Sequence, residues 1–139
     1  MLRHIPPILS PDLVKTMMEM GHGDELLLAD ANFPAYTNSP HVIRADGITI
    51  PALLEAVLTM MPLDTYSPWQ VGLMETVEGD PRPPIWHTYN RIVSAEVERY
   101  TTRMFERFSF YEHAAHVSAV VVTGETALYG NIILKKGVL

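Results

Sequence analysis

The chain has 139 residues, the length of one ordinary domain. It sets 16 Asp and Glu against 10 Lys and Arg, a formal charge of −6, and its longest basic run is Lys135–Lys136, so a phosphate-tracking nucleic-acid surface is not expected. The absence of cysteine excludes disulfides, thiolate metal sites and a cysteine nucleophile.

Hydrophobic residues make up 47% of the chain, enough for a packed core, and no apolar run approaches the ~20 residues of a membrane span. The opening "MLRHIPPILSPDL" has no long apolar stretch and no small-residue cleavage site, so no signal peptide and a cytoplasmic location are expected. Residues 10–21, "SPDLVKTMMEMG", predict a helix: Ser10 suits the N-cap, Pro11 suits N1, and Asp12 favours the positive helix end. Leu13, Val14, Met17 and Met18 form its expected buried stripe, and Gly21 is expected to stop it with a positive φ. "ELLLAD" (25–30) reads as a buried strand, "NFPAYTNSPH" (32–41) as turns, and "VIRAD" (42–46) as a short strand.

"IPALLEAVLTMMP" (50–62) predicts a second amphipathic helix, with Leu53, Leu54, Val57, Leu58 and Met61 inward. "QVGLMETV" (70–77) reads as a strand weakened at Gly72, and "EGDPRPP" (78–84) as a loop. A helix is expected over 86–100, a strand in 101–108, a short helix over 109–116, and strands in 117–125 and 131–137. The alternation of strands and helices predicts one layered α/β domain.

Five places carry candidate chemistry. In "GHGD" (21–24), His22 stands between two glycines; either this is a tight turn with an exposed histidine, or the glycines leave room for a ligand beside an imidazole. Asp30 leaves the strand at its carboxyl end, where α/β sheets bind ligands, although an Asx turn explains it equally well. Arg107, among aromatics in "FERFSFYE", needs a structural carboxylate or a ligand oxygen. Tyr129, Gly130 and Asn131 in "LYGN" offer stacking, close approach and hydrogen bonding, with a hairpin turn as the alternative. His113 and His116 lack the H-E-x-x-H pattern and an evident third ligand, so no metal is expected there. No phosphate-binding loop or nucleophile elbow is present.

These stretches share an order with one family. "EMGHGDELLLADANFPA", "VIRADG", "VEGD", "RFSFYE" and "VVTGETALYGNIILKKGV" resemble the L-fucose mutarotase branch of the ribose pyranase and fucose mutarotase family. The similarity runs from about Ile8 to Val138, and "MGHGDE…AD" and "TGE…YGNIILKKG" are its most specific parts. The resemblance implies an α/β/α sandwich with a mixed or mostly parallel central sheet. It also implies a ring-like homo-oligomer, a decamer being one form, with sites near subunit contacts. The family's catalytic histidine falls on His22 and its substrate positions on Asp30, Arg107, Tyr129, Gly130 and Asn131. Arginine at 107 resembles the fucose branch; the ribose branch has histidine there. The fucose-type "DAHFPAH" is here "DANFPAY", so Asn32 and Tyr36 replace histidines, which bears on sugar preference if they line the pocket. The segment from Pro81 to Thr101 matches poorly.

The expected activity is therefore interconversion of the anomers, and of pyranose and furanose forms, of a free monosaccharide, L-fucose foremost. It needs no cofactor and no metal, because mutarotation only moves protons at a hemiacetal. His22 would transfer the proton, Asp30 would bind hydroxyls or orient the imidazole, and Arg107 with Tyr129–Asn131 would fix the sugar, Tyr129 being a second proton-transfer candidate. Two rival readings are a monosaccharide-binding or regulatory protein without catalysis, and a metal-dependent enzyme using His22, Asp30, His113 and His116.

Overall fold

The structure is a computed structural model and describes residues 1–139. In chain order its elements are α1 (Pro11–Glu19), β1 (Glu25–Ala29), α2 (Ala35–Asn38), β2 (Val42–Ala45), α3 (Ile50–Leu58), β3 (Val71–Met74), α4 (Ile85–Glu96), β4 (Thr102–Phe105), α5 (Arg107–Ala114), β5 (Ala119–Thr123) and β6 (Ile132–Lys135). No helix is long and apolar enough to cross a membrane.

Six strands form one sheet in the order β2-β5-β1-β6-β3-β4. β1 and β5, β2 and β5, and β3 and β4 pair in parallel, whereas β6 runs antiparallel to both β1 and β3. Five strands thus point one way and β6 points back. The expected mixed, mostly parallel α/β/α sandwich is the fold observed.

Period-two alternation builds its two faces. Leu26 and Leu28 join Val121, Leu73 and Leu134 in a core against α1, α3 and α4. Leu27 and Ala29 turn the other way and join Val120, Ile133, Phe105 and Phe110 under α2 and α5. A strand covered on both faces reads as an unbroken apolar run, which is why "ELLLA" shows no alternation in sequence.

Helix caps behave as expected at one end of α1 and not at the other. Ser10 accepts a hydrogen bond from the Leu13 amide at 3.2 Å. The helix ends earlier than expected, at Glu19, with Met20 extended at φ −66°, so Gly21 does not supply a left-handed stop. The positive φ belongs to Gly23, at +86°. Leu13 and Met17 are buried, but Met18 faces solvent, and Thr16 and Met20 complete the inward face instead. All five residues of the α3 stripe are buried. The "LYGN" stretch is not a hairpin turn, because β1 lies between β5 and β6. The middle of the turn-rich 32–41 segment winds into the short α2.

Gly72 does not weaken its strand but lets neighbours close on it. A Cβ at this position would lie 2.9 Å from Phe105 Cε2 and 3.2 Å from Ile133 Cβ. Gly72→Ala is therefore expected to destabilise the fold by about 1–3 kcal/mol through overpacking. A lower urea midpoint at unchanged m-value is the expected reading; an unaltered midpoint would show that the sheet has slack here.

Candidate active site

The sheet direction sorts the candidate residues into two groups. Asp30 follows β1, residues 75–80 follow β3, Arg107 follows β4, and Asn131 precedes the reversed β6, so all converge on one edge of the sheet. Of these, Asp30, Val77, Asp80, Arg107 and Asn131, with Tyr129, line an open pocket of about 480 Å³, within the range of small-ligand sites. Its other walls include Asn32, Phe33, Met74, Tyr111 and Leu128. Two larger clefts exist, of about 760 Å³ beside the N-terminal segment and about 680 Å³ beside the C-terminus. The first is mostly apolar, and neither gathers the candidate residues, so the smaller pocket is the candidate site.

Asp30 and Asn131 clasp each other across that edge. The Asn131 carbonyl oxygen accepts from the Asp30 amide at 2.8 Å, and its Nδ2 donates to Asp30 Oδ2 at 2.9 Å. Asp30 Oδ1 also accepts from the Asn32 amide at 2.8 Å, so the Asx turn and the pocket role coexist. Burial raises the Asp30 pKa; the amides of Asn32 and Phe33 and the Asn131 side chain oppose that rise, and the nearby Glu125 carboxylate adds to it.

The 129–131 turn is held from α4. Trp86 Nε1 donates to the Tyr129 carbonyl at 2.9 Å and the Tyr89 hydroxyl to the Gly130 carbonyl at 2.5 Å. A Cβ on Gly130 would come within 2.9 Å of the Ala127 carbonyl oxygen, which accounts for the glycine. The Tyr129 hydroxyl donates to Asp80 Oδ2 at 2.5 Å and accepts from the Val77 amide at 3.2 Å. The Asp80 bond raises the Tyr129 pKa above its ordinary value.

Arg107 is exposed, not buried, as the first residue of α5. Its partner is no carboxylate: Nε donates to the Tyr111 hydroxyl at 3.3 Å, and the guanidinium lies 5.6 and 5.7 Å from the Phe108 and Tyr111 rings. The Tyr111 hydroxyl accepts that bond, which leaves its own hydrogen uncommitted.

His22 stands at the other edge. It precedes β1, whose five residues at about 3.3 Å each put roughly 16 Å between the strand's two ends. The structure therefore does not bring His22 to Asp30, and Asp30 does not orient the imidazole. Asp64 does: His22 Nε2 lies 2.9 Å from Asp64 Oδ1. The loop is pinned to the end of β6, with Gly23 N donating to the Lys136 carbonyl and Lys136 N to the Asp24 carbonyl, both at 2.8 Å. Gly21 N donates to Asp24 Oδ2 at 2.7 Å. The His22 side chain is 45% exposed, and Tyr66 meets it edge-on at 5.7 Å.

Asp64 is fully buried and accepts from Ser67 Oγ and the Tyr66 amide as well. Burial pushes its pKa up, but the bonds from Ser67, His22 and Tyr66 outweigh that and bring the carboxyl down to about 2. Sequence reading missed Asp64, Asp80 and Tyr111. Asp80 closes the matching stretch "VEGD", and Tyr111 stands as a second polar aromatic one helical turn from Arg107, whereas Asp64 carried no signal.

The remaining candidates stay apart. His113 Nε2 bonds Glu25 Oε2, beside Lys135 Nζ at 3.5 Å from Glu25 Oε1, and no three His, Asp or Glu side chains gather as a metal-holding group. The four residues of the metal-dependent reading are thus not brought together. Asn32 lines the pocket with its side chain free of hydrogen bonds, whereas Tyr36 lies outside it, under the Arg44 guanidinium at 5.9 Å. Of the two departures from the fucose-type motif, only Asn32 faces the site.

An α/β sandwich with a polar pocket at the carboxyl ends of its strands is the arrangement of a small-molecule-binding protein. The model of the RbsD / FucU transport protein family matches residues 3–139, and the chain belongs to that family. It is 50% identical over 145 aligned residues to the fucose mutarotase of Bos taurus, covering 99% of this chain and 94% of that one. Its structure superposes with a TM-score of 0.96, at 49% identity and 99% coverage of both chains, on the fucose mutarotase of Streptococcus pneumoniae solved in complex with L-fucose. Bacillus subtilis RbsD complexed with D-ribose shares the fold at a TM-score of 0.76 and 20% identity, covering 100% of this chain and 99% of that one.

Because the folded state holds Asp64 as a carboxylate, the sign of its pH effect follows. The unfolded chain binds the proton near pH 4 and the folded one near 2, so this contribution is complete above about pH 4 and fades as pH falls towards 2. Acid unfolding of Asp64→Asn is expected to lose that part of the pH slope, as read by circular dichroism at fixed urea; an identical slope would place the acid sensitivity elsewhere.

Proposed function

We propose that this protein interconverts the anomers of L-fucose, and that each site is completed where two copies meet. The chain is a carbohydrate isomerase of the mutarotase kind. The pocket of one copy, with Asp30, Arg107, Tyr129 and Asn131 on its wall and Gly130 buried behind the turn, holds the sugar, and His22 of a neighbouring copy reaches it. The likeness to fucose mutarotases supports the substrate. The separation of the two sheet edges supports the shared site, as do the exposed Phe108 and Leu128 near the pocket and the exposed Tyr66 beside His22.

The free imidazole nitrogen carries the reading. A carboxylate only accepts hydrogen bonds, so Asp64 keeps the His22 proton on Nε2. In the neutral ring Nδ1 is then the bare nitrogen; it makes no hydrogen bond in this chain and belongs to a half-exposed ring. It takes the proton from the anomeric hydroxyl as the bond between the anomeric carbon and the ring oxygen breaks. The ring oxygen receives a proton, for which Tyr111 holds the uncommitted hydrogen. The aldehyde turns and recloses on its other face; closure through a different hydroxyl gives the furanose. Each proton returns in the reverse step, so the reaction balances without any redox partner.

A single chain's pocket holds the binding groups without His22, which is what a binding protein without catalysis would also show. Mixed oligomers separate the two readings. His22→Ala is expected to lower anomer exchange, followed by saturation-transfer NMR, by about 10²–10⁴-fold. Refolding His22→Ala together with Arg107→Ala, each inactive alone, is expected to restore about a quarter of the sites, since each intact half comes from a different chain. No recovery would place both halves in one chain; full exchange by His22→Ala would remove the histidine from the reaction.

Asp64→Asn is expected to fold and still bind L-fucose but to exchange its anomers about tenfold or more slowly, because an amide no longer fixes the Nε2–H tautomer. Parent-like exchange would show that the imidazole needs no carboxylate.

A further inference from the structure

The segment 75–84 leaves the carboxyl end of β3 and passes along the pocket before α4 begins. Pro81, Pro83 and Pro84 deprive it of three amide donors. Past the Glu75 amide, which bonds the Phe105 carbonyl at 2.7 Å, its tie to the pocket is the hydroxyl of Tyr129, which bonds both Val77 N and Asp80 Oδ2. Tyr129 pays for that position with a φ of +56°, an uncommon conformation for a bulky side chain. Trp86 and Tyr89 hold the backbone carbonyls of Tyr129 and Gly130, so Tyr129 is fixed at its backbone as well as at its hydroxyl.

A tyrosine hydroxyl has one hydrogen to donate and two lone pairs, of which one is shared with the ring and accepts more weakly. Here the hydrogen goes to Asp80 and one acceptor position to the Val77 amide. One acceptor position remains. Resting on the reading of this pocket as a sugar site, we propose that Asp80 is a positioning residue. It makes the Tyr129 hydroxyl a pure acceptor for a sugar hydroxyl and straps segment 75–84 along the pocket.

The assignment divides the two pocket tyrosines. Tyr129 has no hydrogen to give, whereas Tyr111 accepts from Arg107 and keeps its own. Tyr129 therefore binds and does not protonate. A bound sugar has to donate to it, and Asp80, although it also stands at the pocket wall, acts through that hydroxyl.

Two readouts test this on the full protein. Hydrogen exchange of the Val77 amide, measured by NMR without sugar, reads the strap alone; KM and kcat for L-fucose anomer exchange read its use. Asp80→Ala and Tyr129→Phe are each expected to speed Val77 exchange. Asp80→Ala is expected to raise KM about two- to tenfold, the loss of roughly one hydrogen bond, with the effect on KM rather than kcat. Asp80→Asn, whose carbonyl oxygen still accepts the Tyr129 hydrogen, is expected to move both readouts back towards the parent. Parent-like Val77 exchange in Asp80→Ala, a loss carried by kcat at constant KM, or no rescue by asparagine would each overturn the proposal. A parent protein that exchanges no anomers would instead overturn the mutarotase reading; the L-fucose dissociation constant then replaces KM, and the Val77 result still decides on Asp80.

Discussion

β1 and β6 pair in opposite directions at the centre of an otherwise parallel sheet, with Leu28 opposite Ile132 at one end and Glu25 opposite Lys135 at the other. The reversal puts the start of β6 beside the end of β1. Asn131 then meets Asp30 and locks it with two reciprocal bonds. It also puts the end of β6 beside the start of β1, where Lys136 brackets the loop that carries His22. Had β6 run parallel, Asn131 would lie at the His22 edge and the pocket would lose the group that sets its acid. One antiparallel pairing thus positions both residue groups while keeping them a strand length apart.

The two halves place a carboxylate in opposite electrostatic settings. Asp64 and Asp30 are both buried, and burial alone raises any carboxyl. Asp64 collects a hydroxyl, an imidazole and an amide, and its charge prevails. Asp30 collects amides only and stands near a second carboxylate, Glu125, and burial prevails. The consequences suit separate tasks. A firmly ionised Asp64 holds one tautomer of an imidazole facing outward. Asp30 stays at the wall of the pocket, clasped by Asn131. Glu125 is itself occupied, accepting from the amides of Ile50, Thr126 and Ala127, so it steadies the start of α3 rather than facing the ligand.

Much of the fold was legible in local pattern. The α3 stripe, the Ser10 cap and the unbroken apolar runs of β1 and β5 report burial directly, because a helix face or a doubly covered strand leaves its period in the chain. Misreadings came where a local rule has two solutions. Glycine at the end of α1 suggested a left-handed stop, yet an extended Met20 ends the helix just as well. Gly72 suggested a weak strand, and it marks close packing instead. "LYGN" between two strands suggested a hairpin, which sheet order overrules, since sequence neighbours need not be sheet neighbours.

The sequence by itself determined that Asp30 leaves a buried strand at its carboxyl end; that Arg107 and the Tyr129–Asn131 turn share that edge was decided by the sheet, because only the reversed β6 brings Asn131 there. The sequence even contained the separation of His22 from Asp30, because a five-residue strand between them has a fixed rise. Which side chains complete each half was decided only by the tertiary structure. Asp64 reaches His22 across 42 positions of chain, and Asp80 reaches Tyr129 across 49. No periodicity links such pairs. They meet because loops at the same edge of a sheet converge in space, and a hydrogen bond depends on that distance rather than on separation along the chain.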